Sequence, residues 1–310
     1  MSEAARALTE RILAAQSRRV AFLGLAKNAG KTTALVATLG ELSRVGIAAG
    51  ATSVGRDGED FDALTGEPKP RFRLWPGQLV ASAESTLDGT TLSLTVLARL
   101  PFPTRFGPVA VARVGTPGEL EVMGPTTASQ TAQTASALEA AGARVVLLDG
   151  AFGRRAFASA RVADGIVLAV GMSAGRSLES VLERARFAAD LIQLPTNFAG
   201  RRRTIDGALT DELLHELPPE PGETLVAQDF ASVFLSASEV RDLRQRGIGL
   251  AVERPARLIA VTANPSAPGR PPLPARAFFE ALAGTLPGIA IFDLEASLSS
   301  VEPRAGEKDR

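Results

Sequence analysis

The chain has 310 residues with 34 basic and 34 acidic side chains, 45% apolar content, no cysteine, no tyrosine, one histidine and one tryptophan. Without cysteine there is no disulfide framework, no thiolate-held zinc or iron–sulfur site and no cysteine nucleophile, and a lone His215 excludes a site built from several imidazoles. Zero formal charge argues against a nucleic-acid partner, and the apolar fraction suits one large α/β domain or two smaller ones.

Residues 1–19 mix Leu8, Ile12 and Leu13 with Glu3, Arg6, Glu10 and Arg11, so they lack the apolar core of a signal peptide. No apolar run reaches the ~18 residues of a membrane span. A cytoplasmic protein without membrane contact is expected. Only four of the basic residues are lysines, and two of them, Lys27 and Lys31, fall in the stretch RVAFLGLAKNAGKTT at 19–33. An apolar strand (20–23), a loop ending in Gly30, Lys31 and Thr32, and a helix (32–45) are the context of a phosphate-binding loop. The match departs from G-x-x-x-x-G-K-[ST] in one respect: five residues separate Gly24 from Gly30, and Leu25 stands where the first glycine would.

The residue types suit the chemistry. Gly30 lets the backbone approach a phosphate closely, and the positive end of the following helix faces that phosphate. The compact ammonium of Lys31 is expected between β and γ oxygens, and the hydroxyl of Thr32 on Mg2+. The expected ATP-binding set is therefore Lys27, Asn28, Ala29, Gly30, Lys31, Thr32 and Thr33.

A strand over 48–54 ends in GRDGED, placing Asp57 as a candidate γ-phosphate and Mg2+ carboxylate, with Glu59, Asp60 and a plain polar turn as alternatives. Residues 70–123 break the strand–helix alternation with short strand-like pieces at 72–75, 92–97, 109–114 and 120–123. They read as a β-rich insertion placed to cover a nucleotide or bind a partner, with Trp75 read as a core residue before an exposed one.

After a helix at 129–141, RVVLLDGAFG at 144–153 is an apolar strand ending in Asp149, the second candidate for holding Mg2+. Arg154 and Arg155 follow, as phosphate contacts or as a solvated pair. A strand at 166–170 and a helix at 177–191 continue the pattern, and the arginine triplet 201–203 reads as a solvated loop. His215 ends a short helical pattern and reads as a surface residue. A strand at 258–261 leads to Asn264, a candidate for a purine edge, and adenine is favoured because no lysine sits in a guanine-reading loop. A helix at 275–286, a strand at 289–292 and a polar, frayed tail at 302–310 complete the chain. The alternation predicts an α/β fold, a mainly parallel sheet with helices on both faces and ligands at the carboxyl ends of the strands.

The loop at 19–45 and the Asp149 strand resemble the P-loop NTPases of the class that includes dethiobiotin synthetase, MobB, the ParA/MinD ATPases and the nitrogenase iron protein. In members of that class with a lysine after the first loop glycine, a dimer shares the site. Here Ala26 holds that place and Lys27 follows, and a homodimer is one open arrangement. Whole phrases, GLAKNAGKTT (24–33), TSVGRDGED (52–60), KPRFRLWPG (69–77), LLDGAFGR (147–154) and IDGALTD (205–211), are similar to the KamB-type reactivase subunits of adenosylcobalamin-dependent lysine 5,6-aminomutase. The resemblance implies an ATP- and Mg2+-dependent reactivase whose partners are the aminomutase and a MutS-related ATPase. Lys31, Asp57 and Asp149 would be catalytic, and Thr32, Asp57 and Asp149 would hold the metal. A ligase or kinase of the dethiobiotin synthetase type, with Lys27, Asp57 and Arg154 on substrate and γ-phosphate, is the alternative, and a non-hydrolysing nucleotide sensor is a third reading.

Overall fold

The structure is a computed structural model that describes residues 2–54, 71–104, 106–198 and 200–294. In chain order the elements are α1 (Glu3–Ala14), β1 (Arg19–Gly24), α2 (Lys31–Arg44), β2 (Ala49–Ser53), β3 (Phe72–Leu74), β4 (Leu79–Ala83), α3 (Glu84–Asp88), β5 (Leu94–Thr104), β6 (Gly107–Val114) and β7 (Gly118–Leu120). Then come α4 (Ala128–Ala140), β8 (Val145–Ala151), β9 (Gly165–Gly171), α5 (Leu178–Ile192), β10 (Arg201–Thr204), α6 (Asp211–Glu216), β11 (Glu223–Ala227), α7 (Ala237–Gln245), β12 (Gly249–Val252), β13 (Arg257–Asn264), α8 (Ala275–Thr285) and β14 (Ile291–Asp293).

Nine strands form one sheet in the order β14-β13-β9-β1-β8-β2-β4-β6-β5. All neighbours from β14 to β4 run parallel, and β6 and β5 add antiparallel at one edge. Strands buried on both faces read as continuous apolar runs, which is why β1 and β9 are legible in the sequence. One face packs on α1 and α2 through Leu8, Ile12, Leu35, Leu39 and Leu42. The other packs on α4, α5 and α8 through Leu138, Ala185, Phe278 and Leu282.

Local signals set the helix ends. Ser177 and Ser236 begin α5 and α7 with reciprocal capping boxes, satisfying donors that the first turn leaves free. Gly46, at φ +71°, stops α2: its N–H bonds Ser43 O while Ile47 N–H reaches Leu42 O, a Schellman closure that needs a left-handed residue.

Strand order decides where a ligand crevice opens. From β1 the chain moves outward through β2 and β4, returns to set β8 between β1 and β2, then crosses to the opposite side with β9, β13 and β14. The order reverses around β1 and β8, and their carboxyl ends are the switch-point crevice.

Three sequence expectations change. The 70–123 stretch is built into the main sheet. Its β4, absent from the sequence reading, pairs in parallel with β2, and the β5–β6 hairpin extends the main sheet, while β3 pairs with β7 on the side. The strand expected at 120–123 is Gly118–Leu120. Residues 201–203 are not a loop but β10, in a second parallel sheet, β10-β11-β12. There Arg201 and Arg203 pair with the buried Glu223 at 3.0 and 2.8 Å, so a charged triplet makes a strand because a neighbouring strand supplies the counter-charge. Asp229, 1% exposed, joins this lobe to the main body by accepting from Ala160 N–H, Ala231 N–H and the Ser232 hydroxyl.

Candidate functional site

The switch-point crevice is where most of the sequence-named residues converge. β1 ends at Gly24, but Leu25 N–H still bonds Ala169 O on β9, so the loop leaves the sheet one residue late. The loop then turns through Asn28 at φ +60° and Gly30 at φ +89° into α2. Gly30 occupies the cap position of α2, and no side chain caps that end. α1, α4, α5, α6 and α7 are capped by serine or threonine, whereas α3 and α8, like α2, have no side-chain cap. The first-turn N–H groups of α2, at Lys31, Thr32 and Thr33, have no carbonyl of their own helix to bond, and they carry the positive end of its dipole.

Two neighbouring strands hold the loop from behind. Ala29 is buried against Gly171 at the end of β9, where an added Cβ would stand 2.7 Å from Ala29 Cα. Asn264, at the end of β13, donates from Nδ2 to Asn28 O at 3.2 Å and accepts from Ser266 N–H at 2.7 Å. Both ends of its amide are thus engaged in loop positioning, and its Cβ lies 3.4 Å from where a Cβ on Gly30 would be.

On the other side of β1, the parallel register sets Phe22 against Asp149 and brings the β8 carboxylate beside the start of α2. Lys31 Nζ lies 2.8 Å from Asp149 Oδ1, and the Thr32 hydroxyl is 3.4 Å from Asp149 Oδ2. Asp149 is 2% exposed and the Lys31 side chain 20%, so the pair is largely shielded from solvent. Asp149 also accepts Val54 N–H on its main-chain oxygen, tying in the end of β2. The result is one ammonium, one hydroxyl and one carboxylate converging at an uncapped helix start. This arrangement has the donors to hold a multiply charged oxyanion and two adjacent hard oxygens for a divalent cation.

Lys27 is exposed on the same loop and Thr33 half-buried in the first turn of α2. Asp57, Glu59 and Asp60 lie outside the described residues, as do the side chains of Arg154 and Arg155 and the segment 302–310. Trp75 is half-buried against the α1/α2 core, with the Arg73 guanidinium 6.0 Å from its ring centroid. His215 is exposed at the end of α6; a hydrogen bond to Asp211 O, and then the Asp211 charge, raise its pKa. Among the described residues no three His, Cys, Asp or Glu side chains gather as a metal site. Nor is any described helix long and apolar enough to cross a membrane.

The sequence reading missed Gly171 and Arg270. Arg270 donates to the carbonyls of Met172 (2.8 Å), Gly175 (2.9 Å) and Arg176 (3.1 Å), fixing the turn that follows Gly171. Gly171 closes a buried apolar run as Asp149 does, which is the signal that could have singled it out; no local signal marks Arg270. Comparison with family models, curated proteins and solved structures finds no match for this chain.

Proposed function

We propose that the chain is an Mg2+-dependent ATP-binding and hydrolysing P-loop protein that acts on a protein partner. The observation that carries this reading is the convergence of Lys31, Thr32 and Asp149 at the uncapped start of α2, in the switch-point crevice. The donor chemistry fits the groups invoked. Thr32 Oγ1 and Asp149 Oδ2, 3.4 Å apart, are two hard oxygens of the kind Mg2+ takes from a protein when phosphate oxygens and water fill its remaining positions. When bound, the cation would neutralise charge developing on the phosphates.

In this reading Lys31 exchanges the Asp149 carboxylate for β and γ oxygens, and the N–H groups of Gly30 to Thr33 receive the phosphate. Asp149 and the Thr32 hydroxyl would hold the cation. Gly171 and Asn264 hold the loop in place, so that placement of the charges precedes binding. Asp57 is the further carboxylate assigned to this site from the sequence, and Lys27 the second loop cation. Adenine is the base proposed; the Asn264 amide, read from the sequence as a purine contact, is engaged at both ends in holding the loop and is not assigned to the base.

For the partner, the phrase-level likeness to KamB-type subunits supports a reactivase of an adenosylcobalamin-dependent lysine aminomutase working with a MutS-related ATPase. Nucleotide turnover would alternate a partner-binding state with a relaxed one. The test is ATP hydrolysis with Mg2+, alone and with the inactivated aminomutase and the MutS-related protein, using Lys31→Ala as control. Stimulation by the proteins that disappears in Lys31→Ala is the expected result. Turnover that rises only with small carboxylic acids would replace the reactivase with a ligase or kinase of the dethiobiotin synthetase type, and tight binding without turnover would leave a sensor.

A further inference from the structure

The parallel register of β2 and β8 sets Ser53 opposite Asp149, so the two side chains project from the same face of the sheet, one strand spacing of about 4.8 Å apart. That face is the one packed on α2: Ala51 and Ala49, which precede Ser53 by two and four residues, lie in the α1/α2 core, as do Leu147 and Val145 before Asp149. Lys31 reaches Asp149 from the side of β1, where its stem runs beside Gly24, and Ser53 flanks Asp149 on the side of β2.

Neighbouring hydroxyls at these strand ends are committed. Thr52 donates to Ala81 O at 2.9 Å, and Ser82 accepts from Met123 N–H at 2.8 Å and shares a hydrogen bond with Thr86 at 2.6 Å. Ser53 is 3% exposed, yet its hydroxyl has no hydrogen-bond partner among the described residues. The described hydroxyls that lack both a partner and solvent are those of Ser173 and Thr262, so the Ser53 hydroxyl opens to the space at the strand ends. Leaving so buried a hydroxyl unsatisfied costs free energy. Its backbone is held on both sides: Val54 N–H bonds Asp149 O, and Gly124 lies so close to the Ser53 carbonyl that no Cβ fits between them.

We propose that Ser53 is a positioning residue for the divalent cation of the nucleotide site, its hydroxyl holding a water of that cation beside Asp149 and Thr32. The inference rests on the nucleotide reading and adds to it an oxygen that lies outside the loop. Mg2+ sheds its water reluctantly and takes few ligands directly from a protein, so a site governs it largely through groups that bond its waters. Serine suits that place. Its oxygen both donates and accepts, whereas a second carboxylate would only accept. Being neutral, it also adds no charge beside Asp149 in the nucleotide-free protein, where Lys31 is the ionic partner of that carboxylate. A short side chain on a fixed strand has little rotamer freedom to lose when it is engaged.

The test measures ATP affinity of the full chain by calorimetry, in Mg2+ and in EDTA, for wild type, Ser53→Ala and Lys31→Ala, with urea denaturation to establish that each variant is folded. Expected for Ser53→Ala is a loss of about 10-fold in Mg2+ and none in EDTA. Mn2+ titrated into the protein–ATP mixture and followed by electron paramagnetic resonance should show the same weakening. Lys31→Ala is expected to lose affinity in both conditions. A Ser53→Ala protein that binds Mg-ATP, or Mn2+ in the ATP complex, as wild type does overturns the inference and leaves the nucleotide reading standing. So does a loss that persists in EDTA, because the hydroxyl would then contact the phosphates or only shape the site. Wild type without ATP affinity, or Lys31→Ala with wild-type affinity, overturns the nucleotide reading and this inference with it.

Discussion

Lys31 and Asp149 make a quantitative test of the site in the nucleotide-free protein. Substituting Lys31→Met keeps the aliphatic stem but leaves the Asp149 carboxylate, 2% exposed, with the Thr32 hydroxyl at 3.4 Å as its one remaining side-chain partner among the described residues. Breaking a buried ion pair from one side costs 3–5 kcal/mol, and the partial exposure of Lys31 places this pair at the low end, about 3 kcal/mol. Asp149→Asn acts differently, because Lys31 can turn its ammonium to water and the amide still accepts a hydrogen bond. That change costs about 1 kcal/mol. The double variant carries neither charge and is expected near the Asp149→Asn value, giving a coupling energy of about 2–3 kcal/mol. Urea denaturation of the wild type, both single variants and the double variant, followed by circular dichroism, measures the cycle. Thermal melts should show Lys31→Met lower by about 6 °C. Additive single changes, or a Lys31→Met protein as stable as wild type, would refute the account of a buried carboxylate held by one ammonium.

The remaining predictions concern the loop, the lobe and the surface. Gly171→Ala forces a Cβ to 2.7 Å from Ala29 Cα, so it should cost about 1–3 kcal/mol. It should also weaken Mg-ATP binding in calorimetry far more than Gly284→Ala, whose added Cβ meets nothing within 4 Å. Asp229→Ala leaves the buried Ala231 N–H and the half-buried Ala160 N–H without their acceptor and should lower stability by about 1–3 kcal/mol in urea. Glu139 is held below the usual carboxylate range by its hydrogen bond from Arg19, and its charge contributes stability that is present above ~4.3 and lost as pH falls through its folded-state pKa. Glu139→Gln should therefore trail wild type by under about 1 kcal/mol at neutral pH and converge with it in acid. His215 shifts the opposite way: its raised pKa contributes stability below ~6.5 that fades as pH rises, and an NMR titration should find it above the ordinary imidazole value.

The sequence by itself determined β1, β2, β8, β9, β13 and β14 of the main sheet, the helices α2, α4, α5 and α8, and the local chemistry of the loop. Continuous apolar runs at β1, β8 and β9, helical spacing in α2 and α5, and the Gly30–Lys31–Thr32 ending are all properties of neighbouring residues, and the structure keeps them adjacent. Asp149 was legible for the same reason, as the first charge after four apolar residues. What tertiary structure alone decided was every pairing over a long chain separation. The β1–β8 register puts Asp149 beside Lys31, and β4 is a strand because β2 and β6 flank it. Arg201 and Arg203 enter a sheet because Glu223 lies opposite, although the triplet alone has the composition of a solvated loop. Gly171 and Asn264 act on a loop that precedes them by more than 130 residues of chain, and Arg270 on a turn 94 to 98 residues before it. Local propensity carries no term for such contacts: they exist only once burial and hydrogen bonding across the sheet have offset the entropy of closing the intervening chain.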